Sequence, residues 1–257
     1  MSRTEILPQS YCSPFEQFEI HSIIPINLGW FDISFTNSSL FMLLVVSTLT
    51  AFFLFSTHRA GIVPTPWQSL AEMGYSFIID LIKEQIGPKG YKYFPILFTT
   101  FMFILGCNLI GMIPYTFTVT SHIIVTFALA FGIFFGVQVV AASHHGLHFF
   151  SFFLPSGVPL ALLPLLVTIE LISYSFRVIS LAVRLFANMM SGHTLLKILS
   201  GFSWTMLSLG GFLSIASILP LLIIFALTGL ELAIAFLQAY VFTTLTCIYL
   251  NDGIHLH

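Results

Sequence analysis

The sequence predicts an all-α polytopic membrane protein with about five membrane helices, the last two long and tilted, and one amphipathic helix at the surface. Three observations carry this. Of 257 residues, 57% are hydrophobic and only 7% charged, against about 25% charged in soluble domains. Mean hydropathy is +1.00. Apolar runs near ~20 residues recur, the length a helix needs to cross a bilayer. A transmembrane barrel would show short alternating strands, which are absent from the pattern. Net charge is −2, so there is no electrostatic footprint for nucleic acid.

Residues 1–36 read as a polar, Pro-containing segment outside the bilayer, followed by a single membrane domain over 37–257. The first thirty residues carry Glu5, Glu16 and Glu19. They lack the apolar stretch of a signal peptide. The first span covers about 39–57 and ends at His58, Arg59 and Gly61; Pro64 and Pro66 then impose an extended link. Over 67–86, Trp67, Leu70, Ala71, Gly74, Ile78, Leu81 and Ile82 alternate at helical spacing with polar residues. That pattern is an amphipathic helix lying at the interface. Spans at about 94–113 and 120–142 are joined by the short PYTFTV link and form a hairpin. The stretch 143–164, with three histidines and three prolines, reads as an interfacial or re-entrant connector.

Helical patterning then runs over about 165–199 and 203–250. The first of these pieces is already about 50 Å long, well beyond an upright span. Arg59, Lys83, Lys89 and Lys92 lie between spans one and two. The positive-inside rule puts that segment on the cytosolic or matrix-like side, the N-terminus opposite and, after five crossings, the C-terminus on the positive side.

From residue 95 onward six charged side chains remain: Glu170, Arg177, Arg184, Lys197, Glu231 and Asp252. Charges inside membrane segments are functional by default. Arg184 is the sharpest case. An arginine at a helix centre costs about 2.5–3.5 kcal/mol to insert. Its neighbours at i±3 and i±4 are Ser180, Leu181, Ala187 and Asn188, so no local carboxylate offsets it. It cannot release its proton, so it can hold a carboxylate ionised or repel a moving cation, but not carry a proton itself. The bland alternatives are snorkelling to an interface or pairing with Glu231. Glu170, Arg177, Arg184 and Asn188 share one helix face at spacings of 7, 7 and 4. Arg177 is the weaker candidate among them. A polar stripe of this kind must face protein or water. His193 falls off that face, so it looks toward another neighbour or the helix curves.

The last helix carries its own stripe of Glu231, Gln238 and Asp252. A carboxyl inside an apolar span with no local base is a candidate proton carrier. Antiparallel packing of the two long helices would leave Glu170 and Asp252 near the positive side and His193 and Glu231 near the other. Arg184 and Gln238 would lie between in depth. Two offset polar sets divided by an arginine suit two half-channels that must not connect.

Metal is not expected: HHGLH, with His144, His145 and His148, has no matching histidine set on a facing helix. Cys12, Cys107 and Cys247 show no ligand spacing and suggest no disulfide framework. Lys197 reads as a snorkelling interfacial residue. A stand-alone proton-coupled membrane transporter is the alternative reading, but it calls for internal repeats, which are not visible. A haem- or quinone-binding subunit would need paired histidines on facing helices. An intramembrane protease would need HExxH or GxSxG, and both are absent.

The run ISLAVRLFANMMSGHTLLKIL closely resembles the signature of subunit a (subunit 6) of the F-type ATP synthases, and ELAIAFLQAYVFTTLTCIYLND resembles that family's last helix. SPFEQFEI, FTNSSLFMLL and HGLHFFSFFLPSGVPL fit as well, and the likeness covers nearly the whole chain. His193 with Glu231 is the mitochondrial arrangement; bacterial members often place glutamate and histidine the other way round. The resemblance implies a non-catalytic, proton-translocating stator subunit without cofactor, in the mitochondrial inner membrane. Its N-terminus would face the intermembrane space and its C-terminus the matrix. The implied partners are a ring of c subunits, the peripheral stalk, other membrane-sector subunits and lipid. Protons would enter past His193 and Glu231, with Asn188 and Gln238 as polar lining, and leave past Glu170 and Asp252. Arg184 would separate the two paths.

Overall fold

The chain folds as a helical bundle with a buried apolar core and with large apolar side chains on its outer faces as well. The structure is a computed structural model that describes residues 13, 15–28, 31–58, 60–113, 116–146 and 163–254. The N-terminal segment makes two small antiparallel pairs, one nested inside the other. β1 (Ser22–Ile24) pairs with β4 (Phe35–Thr36), and β2 (Asn27–Leu28) with β3 (Phe31–Asp32).

α1 (Asn37–Thr57) begins at a capping box, with Ser39 N–H donating to Thr36 Oγ1 at 3.4 Å and Thr36 N–H to Ser39 Oγ at 3.0 Å. α2 (Pro66–Gln85) starts with Thr65 as cap and a proline at its first position. It buries Ala71, Ile78, Leu81 and Ile82 against the bundle and leaves Trp67, Leu70 and Met73 exposed. α3 (Phe94–Gly111) and α4 (Ile123–His145) follow one another across a short link but do not pack side by side as the expected hairpin, because α7 packs against both. A 3₁₀ turn, Val119–Ser121, precedes α4, which starts at 123, later than the residue 120 read from the sequence.

α5 (Leu163–Leu209) is one unbroken helix of 47 residues, ten longer at its C-terminal end than the expected 165–199. The break falls at Gly210 and Gly211, whose φ of 68° and 63° lie in the left-handed region that side chains with a Cβ avoid. The helix runs through Gly201, whose cost of about 1 kcal/mol in a helix interior does not end it. The short α6 (Phe212–Ala216) leads into α7 (Ile218–Ile254), which starts well after the expected 203.

Among the described residues, α1, α3 with the turn before it, α4 and the α6–α7 region are long and apolar enough to cross a membrane. α5 carries the polar stripe and packs against α4 and α7. The connector 147–162, including His148, lies outside the described residues.

α7 is the central element, packed by α3, α4 and α5. Its inward face carries small residues, with Ala235, Ala239 and Thr243 fully buried. Small side chains let helix backbones approach closely in membranes. Thr243 and Thr246 return their hydroxyls to the carbonyls of Ala239 and Phe242, at 2.9 Å each, and so bring no unmet donor into the core. Phe242, Leu185, Leu97, Ile104, Ile78 and Ile82 fill the remaining space. Cys107 and Cys247 are buried free thiols.

Candidate functional site: the α5–α7 seam

α5 and α7 run antiparallel, and their polar stripes meet rung by rung. At one end Arg177 reaches Asp252, with Nη1 to Oδ2 at 3.7 Å, and its guanidinium lies 5.5 Å from the centre of the Tyr249 ring. About 16 Å further along α5, Asn188 Nδ2 donates to Gln238 Oε1 at 3.0 Å. About 7 Å beyond that, His193 Nε2 stands 3.5 Å from Glu231 Oε1. Glu231 is 3% exposed and Gln238 1%. Neither carboxyl oxygen of Glu231 completes a hydrogen bond, and the Gln238 amide nitrogen and His193 Nε2 are also unpartnered. Buried polar atoms without partners mark strain, missing water or chemistry. Here they fall along one line.

His193 reaches α7, the same neighbour that Arg177 and Asn188 reach, so it does not look toward a different helix as its spacing suggested. Arg184, placed on the same stripe from its spacing, instead points outward and is exposed. It makes no ion pair or hydrogen bond among the described residues, so the alternative pairing with Glu231 is not formed. Arg184, Ala187, Ser191, Leu195 and Ile198 make an exposed row along α5, with two small side chains beside the arginine. Glu170 occupies the early turns of α5, and its side chain lies outside the description.

Two cavities flank Glu231. One, of about 180 Å³, lies between α5 and α7 and is lined by Asn188, Ser191, Gly192, Leu195, Glu231 and Ile234. It joins the buried carboxyl to the exposed Arg184 row through Ser191 and Leu195. The other, of about 750 Å³, has His193 and Lys197 in its wall and opens among the N-terminal segment and the α3–α4 turn. The pair His193–Glu231 therefore stands between a large outer cavity and a small inner one.

Sequence reasoning missed two residues here. Gly192 gives Glu231 its space: a Cβ at that position would lie 2.7 Å from Oε1. Asn108 of α3, fully buried, donates from Nδ2 to the Ala235 carbonyl at 3.2 Å and ties α3 to α7 one turn from Glu231. The signal for Asn108 was present, since it is the single carboxamide in the span FPILFTTFMFILGCNLIGMI. Gly192 carried none, because its role depends on a side chain thirty-nine residues away.

A family model described as ATP synthase A chain matches residues 39–251. The chain belongs to the ATP synthase subunit a family. These are the proton-channel subunits of F-type ATP synthases, and the α5–α7 seam falls within the match except for Asp252, one residue beyond it. The chain is 59% identical over 250 residues to ATP synthase subunit a of Marchantia polymorpha, covering 96% of this chain and 99% of that one. It is 58% identical over 252 residues to the subunit of Brassica napus, covering 95% and 97%. It is 53% identical over 242 residues to that of Agrobacterium fabrum, covering 94% and 97%.

Proposed function

We propose that the chain is the non-catalytic stator of the membrane sector and that its Arg184 row faces a ring of c subunits. The observation that carries this reading is the position of Arg184. It is an exposed, permanently charged side chain with no counter-ion among the described residues, beside small residues that leave room for a partner helix, and it lies between the Arg177–Asp252 and Asn188–Gln238 rungs. The missing counter-charge is then a carboxylate of the ring.

Protons reach Glu231 from the large outer cavity past His193, and pass through the small inner cavity, lined by Asn188, to the ring. Gln238 holds Asn188 in place by accepting its hydrogen bond. The neutralised ring carboxyl turns into lipid. On the far side it releases its proton past Glu170 and Asp252, whose Oδ2 lies 3.7 Å from Arg177 Nη1. Arg184 attracts each returning ring carboxylate and repels a proton that would run directly from one path to the other. Each proton crossing is worth about 2.3 kcal/mol per 100 mV, which a direct leak would dissipate. The mitochondrial arrangement of His193 with Glu231 supports the inner mitochondrial membrane as the location. Lys83, Lys89 and Lys92 support a matrix-side C-terminus and an N-terminus in the intermembrane space. The peripheral stalk and other membrane-sector subunits complete the partners, and no cofactor enters the scheme.

Arg184→Ala tests it in membranes containing the assembled complex. The expected result is loss of ATP-driven proton pumping, with passive leak retained or raised once the catalytic head is removed. Pumping at near wild-type rate by an assembled Arg184→Ala complex would make the arginine structural and overturn the scheme.

A further inference from the structure

The family match begins at residue 39, yet part of the outer cavity wall comes from before it. Glu16, Gln17, Glu19, His21 and Asn37 line the same space of about 750 Å³ as His193 and Lys197. That volume has room for on the order of twenty waters.

The segment is held in place. Asn37, the first residue of α1, donates from Nδ2 to the Glu19 carbonyl at 3.1 Å and accepts the His21 amide at Oδ1 at 3.3 Å. Its own amide donates to the His21 carbonyl at 3.1 Å. β1–β4 pairing continues the attachment. Glu16 and Glu19 are exposed at the rim. The Gln17 amide nitrogen is buried without a protein partner.

The titratable groups lining the cavity are Glu16, Glu19, His21, His193 and Lys197. Lys197 lies one helical turn beyond His193 and has no counter-ion among the described residues. A fixed positive charge beside the first proton acceptor depletes protons at the point where they must arrive. Two carboxylates across the same water-filled space reverse that field. Charge of one sign lining a cleft raises the local concentration and arrival rate of the opposite ion by ~10-fold or more.

We infer that the segment Glu16–His21 forms the mouth of the proton entry path, and that Glu16 and Glu19 collect protons there against the repulsion of Lys197. The inference rests on the entry path proposed above. It assigns a function to a part of the chain that the family match leaves out.

The test is ATP synthesis by the assembled complex in liposomes, driven by an imposed gradient while the pH on the N-terminal side is varied. Glu16→Gln/Glu19→Gln should raise the proton concentration for half-maximal rate about fivefold and leave the maximal rate unchanged. The shift should shrink at high ionic strength, where charges more than a few ångströms apart are screened. Glu16→Asp/Glu19→Asp should match wild type. Adding Lys197→Gln to the double variant should bring the titration back toward wild type, and Lys197→Gln alone should shift it to lower proton concentration. That last variant carries the test if the double variant does not assemble. Titrations of Glu16→Gln/Glu19→Gln and Lys197→Gln that coincide with wild type within twofold would overturn the inference. If Arg184→Ala abolishes pumping in the same preparation, only the collecting role fails; if Arg184→Ala pumps normally, the underlying path fails with it.

Discussion

Gly192→Ala isolates the geometry of the buried carboxyl from its chemistry. The added methyl carbon would fall 2.7 Å from Glu231 Oε1, 3.1 Å from Cδ and 3.4 Å from Cγ. To regain an ordinary contact of about 3.4 Å, the oxygen must retreat by about 0.7 Å. It has little freedom to do so at 3% exposure between α5 and α7. Overpacking of this kind costs about 1–3 kcal/mol. Displacement of a reacting group by ~1 Å costs about a hundredfold in rate, so pumping should fall roughly ten- to hundredfold while the complex still assembles. Gly201→Ala is the control on the same helix, because its methyl meets nothing within 4 Å. It should pump normally and add a few tenths of a kcal/mol to about 1 kcal/mol of helix stability. Glu231→Asp, shorter by one methylene, should be less harmful in the Gly192→Ala background than alone. The assay is ATP-driven acidification of vesicles, normalised to assembled complex on native gels. Pumping within twofold of wild type by assembled Gly192→Ala would refute the claim that the His193–Glu231 distance controls proton entry.

Three further outcomes are expected. A double-mutant cycle on Asn188→Ala and Gln238→Ala should give a coupling of about 1 kcal/mol in the thermal stability of the assembled complex; additive effects would show that their 3.0 Å hydrogen bond is not maintained in the membrane. Asn108→Leu should cost about 1 kcal/mol, since the Ala235 carbonyl keeps its acceptor role within α7, whereas Asn108→Asp should cost more by leaving a charge in a fully buried site. His122, just before α4, stacks on Phe117 with centroids 5.0 Å apart, and burial pushes its imidazole below the ordinary value of 6.5. The neutral ring is therefore the folded form, so its contribution is complete above pH 6.5 and is lost as pH falls through its lowered folded value. The protection of the Val119–Ser121 amides against exchange, taken relative to the intrinsic rate at each pH, should fall on acidification in wild type but not in His122→Phe, and an unchanged acid response in the variant would assign the effect elsewhere.

The membrane class and the amphipathic α2 were legible because each depends on local composition or period, whereas the α3–α4 hairpin read from a short link is not a packed pair, since α7 packs against both helices. The α5 and α7 ends were not. Nothing near Gly201 distinguishes a tolerated helical glycine from a terminator, and the true stop required two successive left-handed residues at Gly210 and Gly211. The polar residues of the site announced themselves, since a charge or carboxamide in an apolar run is conspicuous. Their pairings were less visible. Spacing put Arg177, Arg184 and Asn188 on one face, but only packing decided that the first and last meet α7 while Arg184 looks outward. Gly192 and the N-terminal wall of the cavity owe their roles to distant contacts that no local pattern carries.

α5 has a mechanical consequence. Its 47 residues extend about 70 Å, and large apolar side chains are exposed from Leu165 to Leu209. Keeping that length inside a hydrocarbon layer ~30 Å thick requires a lean of about 65° from the membrane normal. The sixteen residues from Arg177 to His193 then cover about 22 Å sideways and only about 10 Å in depth. On the proposed stator reading, a voltage across the membrane is directed perpendicular to the ring's motion. Laid along this slope across the whole ~30 Å layer, about 63 Å sideways, the 2.3 kcal/mol that each proton gains per 100 mV becomes a tangential push of about 0.04 kcal/mol per Å. The steepness of one helix thus sets the gearing between voltage and torque, and a more upright α5 would give the same energy a shorter stroke.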